Sequence, residues 1–248
     1  MTLQFTVSPD FAPDRLSGWY IFNTWLQKQT GEAIHLELYN DFQSQRNAIA
    51  AGKVDLIYAN PFDAAMLVRE HGFLPLVKAI NTADEALIAV RAESGITDVA
   101  QLQPGVRVAF TSHPDVHLIG MIMLEPADLG SDNIVPVAAD SYVLVAKHLL
   151  KGEAEAGIFP AQAYDNLSAM VKSQLKVLVR SQISVIHHAL LAGPRLQARR
   201  AEIQALLINM NADAKAVEIL KSLDFGGWEA VADEAMEFMI DLMDTLNT

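Results

Sequence analysis

The stretch TSHPDVHLIG, residues 111–120, places two imidazoles four residues apart, at His113 and His117. On a helix that spacing puts both rings on one face, where they could chelate a divalent metal. A tight zinc-type site needs three or four protein ligands. His187 is the candidate third ligand and Asp140 a candidate fourth. His187 and His188 are adjacent, so in a strand they would point to opposite faces and only one could serve. The same stretch supports a second chemistry. Thr111, Ser112 and His113 precede a helix start, and hydroxyls beside the open N–H groups of a helix N-terminus hold anions. A third reading is helix grammar alone. Ser112 would cap, Pro114 would remove one backbone donor, and Asp115 would complete a Ser-x-x-Asp capping box. The Asp115 carboxylate would then compete with a dianion for the positive helix end. A monoanion, a zwitterion or a neutral polar ligand fits that arrangement better.

Four other junctions share this form, a strand followed by a capped helix start. They are Ser8–Asp10, Asn60–Asp63, Asp140–Tyr142 and Phe159–Pro160. Ligands of open α/β sheets bind outside the carboxyl ends of the strands, where such junctions lie. The candidate ligand-binding residues are therefore Ser8, Asp10, Phe11, Asn60 and Phe62 early in the chain. Thr111, Ser112, His113, Asp140, Ser141, Tyr142 and Phe159 follow in the middle, and His187 late. Asn60, Pro61 and Asp63 also read as cap, first helical position and first-turn acid. Phe11, Trp19, Tyr20 and Trp25 cluster in sequence near the first junction. Phe11 is assigned to the site and most of the others to the core. Arg69, Arg91, Arg107 and Arg180 could each supply a cation, but no sequence position ties them to a junction.

The elements that must position these residues alternate. Strand signals at 3–7, 34–39, 54–59, 73–80 and 86–92 are interleaved with amphipathic runs that stop at Gly31 and near Gly52. The middle repeats the order. Strands are expected at 106–110, 134–139 and 154–159, helices at 113–125, 141–151 and 160–171, then strands at 175–181 and 183–193. From Pro194 onward the pattern predicts helix almost throughout. Strands alternating with helices imply α/β lobes, each a mixed, mainly parallel sheet flanked by helices. Two such halves suggest two lobes with crossovers near 86–91 and 180–190. The expected division is 1–85 as the first segment of lobe 1, 86–186 as lobe 2, and 187–248 as the return to lobe 1 with a helical tail.

Composition narrows the function classes. The chain has 248 residues and is 51% hydrophobic, enough for a sizeable core. Eighteen basic against 30 acidic residues give a net charge of -12, which argues against nucleic acid and anionic membrane surfaces as partners. With no cysteine, disulfides, thiolate metal sites and cysteine nucleophiles are excluded. No apolar run reaches the roughly 18 residues of a membrane span. Met1 is followed at once by a strand signal rather than a secretory leader. The expectation is a cytoplasmic protein if Met1 is the native start, and a periplasmic one if a leader has been removed. Nucleophile elbow, P-loop, His-Glu-x-x-His and dinucleotide fingerprint are all absent, so no enzyme activity and no cofactor are expected.

Several segments, in order along nearly the whole chain, resemble the phosphonate-binding family of ABC transporter components. AAGKVDLIYANPFDAAMLVREHGFLPL is similar to that family's strand leading into a Pro-aromatic helix start. ALIAVRAESGITDVAQLQPGVRVAF, LLKGEAEAGIF and DFGGWEAVADEAMEFM are similar to three later family segments. The resemblance implies the type 2 periplasmic-binding-protein fold, with two lobes closing by a hinge on a small solute, without chemistry. It also implies a transporter permease or a sensor protein as the reader of the closed form. Family members follow RVAF with Ser-Thr-Ser-Gly; here Thr111 and Ser112 remain and the later Ser-Gly does not. A family histidine before the second-lobe helix is replaced within ADSYVLVA, and Glu155 stands where an aspartate is usual. The resulting expectation is non-catalytic capture of a small polar or anionic solute in an inter-lobe cleft, as an importer component. Divalent-metal capture through His113, His117 and His187, and a cytoplasmic ligand-sensing module, are the alternatives.

Overall fold

Leu3–Val7 opens the chain as strand β1, and its residues face a core that the next two hundred residues complete. The structure is a computed structural model that describes residues 2–80 and 82–246. Met1 and the last two residues of the expected 187–248 segment lie outside the described residues. After β1 come α1 (Leu16–Thr30), β2 (Ile34–Leu36), α2 (Phe42–Ala50), β3 (Leu56–Ala59), α3 (Pro61–His71) and β4 (Leu74–Ala79). The middle holds β5 (Ala86–Arg91), β6 (Arg107–Phe110), α4 (Pro114–Leu124), β7 (Val135–Ala138), α5 (Tyr142–Lys151) and β8 (Ala156–Pro160). Two short helices, α6 (Ala161–Asp165) and α7 (Ala169–Lys172), lead to β9 (Leu175–Arg180). The chain ends with β10 (Ala189–Ala192), α8 (Arg200–Ile208), α9 (Ala214–Ser222), β11 (Trp228–Ala230) and α10 (Asp233–Leu246).

These elements form two units. One takes in the chain up to Thr82 together with His187–Asp244, and the other is Ala83–Ile186 together with the chain from Thr245. The first unit's sheet runs β11-β4-β10-β3-β1-β2. Strands β1, β2 and β3 are parallel, while β10 is antiparallel to both β3 and β4. Strands β1 to β4 therefore share one direction, and β10 and β11 oppose it. The second unit's sheet runs β7-β6-β8-β5-β9, with β5 antiparallel to its neighbours β8 and β9. Each sheet is mixed, with most strands running one way.

Burial on both faces explains why the central strands read as unbroken apolar runs. In β3, Leu56 and Tyr58 join one core cluster while Ile57 and Ala59 join another on the opposite face. Strand β10 divides in the same way, with Leu190 and Ala192 against Ala189 and Leu191. Helices α1, α8 and α9 supply the first cluster, and α2, α3 and α10 the second. Trp19 is the hub of the first. Its ring lies 5.0 Å from Tyr58 and 5.8–6.0 Å from Phe5, Phe22 and Phe225. Such pairs add about 0.5–1.5 kcal/mol each beyond their buried area. In the second unit, β8 separates two helices. A Cβ on Gly157 would lie 2.9 Å from Val145 of α5, and one on Gly120 of α4 would lie 2.5 Å from Ile158. Glycine at these positions lets both helices pack closely on the strand.

Local chemistry sets several element ends. Gly31 closes α1 at φ 71°, and its N–H donates to the Gln27 carbonyl. Asp41 caps α2 by accepting from the Ser44 N–H at 2.7 Å. Three expectations are corrected. The helix expected at 160–171 is split, because Ser168 restarts it by capping α7 through the Val171 N–H. The strand expected at 183–193 is confined to β10. Ser184 has φ 63°, and its N–H is taken by the Glu85 carboxylate at 2.7 Å rather than by a ladder. The C-terminal stretch is not all helical. Gly227, at φ 146°, precedes β11, which pairs with β4 and buries Trp228.

Candidate functional site

Each unit gathers polar groups at the carboxyl ends of its parallel strands. In the first unit, the Ser8 N–H extends the β1 ladder by donating to the Tyr58 carbonyl at 2.8 Å. Its hydroxyl accepts from Asn60 Nδ2 at 2.9 Å. Asn60 is the N-cap of α3. It accepts the Asp63 N–H through Oδ1 and donates through Nδ2 to the Asp63 carboxylate, both at 2.8 Å. Ser8, Asn60 and Asp63 are all buried. The amide of Asn60 is thus committed to the junction itself, and its role is to hold Ser8 and the α3 start in register.

Asp63 is in turn held by a residue the sequence reading missed. Arg46 of α2 donates from Nε to Asp63 Oδ1 at 2.6 Å. Its guanidinium lies 5.6 Å from the Phe42 ring centroid and 5.4 Å from that of Phe62. Phe62, expected as a wall of the site, is half-buried and faces this cation. Phe11 is also half-buried, packed against the core cluster that holds Trp19. Tyr20, 52% exposed, stands apart from that cluster.

The adjacent histidines make different contacts. His187, the chosen member, is buried, with Nδ1 3.2 Å from the carbonyl of His188. His188 reaches the Ser8–Asp10 junction. Its Nε2 lies 3.3 Å from Asp10 Oδ2 and its ring stacks on Tyr58 at 5.4 Å. These residues precede β10 instead of lying within a strand, so alternation could not say which ring serves the junction.

In the second unit the carboxyl end of β6 meets the N-termini of α4 and α5. Thr111 Oγ1 donates to the Tyr142 hydroxyl at 2.9 Å, and that hydroxyl lies 2.7 Å from His113 Nδ1. The His113 N–H returns to Thr111 Oγ1 at 3.4 Å, closing a ring of three residues. His113, not Ser112, is the N-cap of α4, with no side-chain capping bond. The expected capping box is therefore corrected: Pro114 takes the first helical position and moves the cap one residue on. Ser112 is left exposed beside it. Asp115 lies in the first turn and is buried. Asp140 is exposed, and Ser141 caps α5 by accepting from the Leu144 N–H at 3.3 Å. Phe159 is fully buried between Tyr142 and Tyr164 in the unit's core, so it backs the site instead of lining it.

The metal alternative finds no assembled ligand set. His117 packs its ring 4.4 Å from Phe110, and burial pushes its imidazole pKa down. His113 spends Nδ1 on Tyr142, and His187 is turned to the carbonyl of His188. Among the described residues, no group of three or more histidine, aspartate or glutamate side chains is placed to hold a metal. Of the four arginines weighed from sequence, Arg180 ends β9 at the same sheet edge as Phe159, and the other three lie elsewhere. Arg69 pairs with Asp241 and Asp244, Arg107 with Glu155, and Arg180 with Asp165. Arg91 ends β5, which runs against its neighbours and so finishes at the opposite sheet edge. Glu155 likewise accepts the Arg107 N–H before β8 begins, at the edge away from the site. Its difference from the family's usual aspartate therefore falls outside the solute junctions.

Two mixed sheets, each with polar groups gathered where parallel strands end at helix N-termini, define the class of bilobal solute-binding folds. The family model described as "ABC transporter, phosphonate, periplasmic substrate-binding protein" matches residues 5–236. The chain belongs to that family: it is a non-catalytic substrate-binding component of ABC-type import. Solved structures agree on the fold. PhnD1 of Prochlorococcus marinus, in complex with methylphosphonate, is 14% identical with a TM-score of 0.82, covering 99% of this chain and 98% of its own. XAC2383 of Xanthomonas citri, bound to chloride, is 17% identical with a TM-score of 0.80 over 99% and 98%. The periplasmic aliphatic sulphonate binding protein SsuA of Escherichia coli is 15% identical with a TM-score of 0.70 over 99% and 91%. No curated protein matches the chain in sequence. Among the described residues no helix is long and apolar enough to cross a membrane. The readings as a metal-capture protein or a sensing module are not favoured.

Proposed function

We propose that this chain captures a small phosphonate- or sulfonate-type solute carrying one negative charge. The contacts proposed for it are Thr111, Ser112 and His113 with Asp140, Ser141 and Tyr142 on the second unit. On the first unit they are Ser8, Asp10 and Phe62, with Asn60 bracing the junction and His188 in place of His187. The observation that carries this reading is the ring formed by Thr111, Tyr142 and His113. It sets hydroxyl and imidazole groups at the start of α4, where open backbone N–H groups favour an anion. Asp115 in the first turn and a net charge of -12 oppose a second negative charge on the solute. A permease of the importer is the proposed reader of the loaded protein.

The test is calorimetric titration of methylphosphonate and methanesulfonate into dialysed wild type and an S112A/H113A variant. At least one of the two solutes is expected to bind wild type and to raise its melting temperature. The double variant should bind it at least tenfold more weakly at unchanged melting temperature, as loss of charge-assisted hydrogen bonds implies. Unchanged affinity would remove this junction from the site. Failure of both solutes to bind wild type would reject the oxyanion class.

A further inference from the structure

We infer that the exposed face of α1 is the contact surface of a weak antiparallel dimer of this chain, in which Asp14 of each copy meets Lys28 of the other. The inference is independent of the solute site. Helix α1 has two unlike faces. Trp19, Phe22 and Leu26 are buried in the core, and a Cβ on Gly18 would lie 2.7 Å from the Ser222 carbonyl oxygen of α9. Those contacts fix which face turns outward. That face carries Leu16, Ser17, Tyr20, Ile21 and Thr24, all exposed, with Tyr20 and Ile21 about half open to solvent. Thr24 turns its hydroxyl back to the Tyr20 carbonyl at 2.9 Å, which satisfies it within the helix. Leu16 through Gln27 contain no charged residue, in a chain that is 19% charged and has a net charge of -12. Single apolar side chains are ordinary on a surface, but Leu16, Tyr20 and Ile21 are grouped on one uncharged helix face, which is the form of a contact site.

The charges at the two ends of this face select what covers it. Asp14 lies in the short helical turn Pro13–Arg15 that leads into α1, and Lys28 lies in the last turn of α1. Both are exposed, and neither side chain pairs with another described residue. Ile21 is midway, seven residues from each. A helix returns to within about 20° of the same side every seven residues, so Asp14, Ile21 and Lys28 lie close to one edge of the face. A two-fold axis that sets two helices antiparallel brings like edges together and opposite ends level. With the axis at Ile21, the two Ile21 side chains meet and each Asp14 stands level with the Lys28 of the other copy. The face is thus complementary to itself in charge. Two copies of so acidic a chain repel each other over most of their surface, and least across this uncharged stretch. The 15 residues of α1 span about 22 Å, a small face beside the roughly 1,600 Å² buried in a stable complex, so the dimer is expected to be micromolar or weaker.

The experiment is sedimentation velocity of the full chain over a wide concentration range. Wild type is expected to pass from monomer to dimer as concentration rises. I21D sets like charges against each other at the two-fold axis and should abolish the dimer. D14K and K28E should each weaken it by about tenfold, because each turns two attractions into two repulsions. D14K also lowers the net negative charge, so its weakening would run against any general charge effect. The swapped D14K/K28E variant should recover wild-type association, which a folding defect could not imitate. All three positions are exposed, so melting temperatures should stay unchanged. Wild type that remains monomeric at every concentration overturns the inference and leaves the face to a different protein. A dimer that folded I21D leaves intact places the contact elsewhere and also overturns it. Single charge variants that weaken the dimer without recovery in D14K/K28E overturn the antiparallel register.

Discussion

Asp63 is almost wholly buried, and Arg46 is what makes its charge tolerable there. A buried carboxylate that loses its cation costs more than the pair is worth, because the remaining charge is left desolvated. We expect R46A to destabilise the protein by about 2–3 kcal/mol, the low end for such a loss because Arg46 is itself partly exposed. Adding D63N in that background should restore part of it. Urea denaturation of the four proteins in the cycle measures the coupling, and strict additivity would show that the pair contributes nothing. Residues of this kind mark the limit of legibility at this scale. Asn60, Pro61 and Asp63 were readable because capping is a local rule of sequence. Arg46 was not, since its partner lies on another helix and its rings come from two helices. The contact of His188 with Asp10 was hidden for a related reason: it depends on the backbone before β10, which is not extended as a strand.

At the scale of elements, apolar periodicity and glycine stops located most helices and strands. The failures have physical causes. Strand β11 is three residues long, too short to show a period, and it exists because β4 has an open edge and the core has room for Trp228. The segment 181–186 looked like strand by composition, yet a carboxylate took its backbone N–H. Burial pushes the Glu85 pKa up, but the Ser181 hydroxyl and the N–H groups of Ser184 and Ile183 outweigh it and hold the carboxyl below its ordinary value. A lowered folded pKa stabilises the fold above the unfolded pKa, and that gain is lost as pH falls through the folded value. E85Q is therefore expected to cost about 1 kcal/mol at pH 7, discounted for the partial exposure of the group. Denaturation midpoints of wild type and E85Q should converge only in acid, below the usual carboxylate range. A gap independent of pH would show that the carboxylate's charge is not what holds the segment.

For the whole molecule, two α/β lobes and a solute-binding role were legible because alternating elements and an ordered set of family-like segments span nearly the entire chain. The ligand's contacts were less so, since they depend on which side chains the junctions commit to themselves. The order of strands also governs how such a chain comes into being. The second unit's sheet is drawn from one unbroken stretch, Ala83–Ile186, whereas the first unit's sheet must wait for its centre. Strand β10 lies between β3 and β4, so Ala59 pairs with Ala189 and Val77 with Leu190, across everything in between. Such distant pairings are slow to form. On the ribosome, the second unit's sheet can finish while Leu56–Ala59 and Leu74–Ala79 still have no strand between them, two apolar edges of the sort that recruit other chains. Pulse-labelled hydrogen exchange during refolding should find β5, β6 and β8 protected ahead of β3 and β4, and simultaneous protection would refute that order. If it holds, the interval before residue 192 is made is when this protein is most exposed to aggregation, and when a chaperone would matter most to its yield.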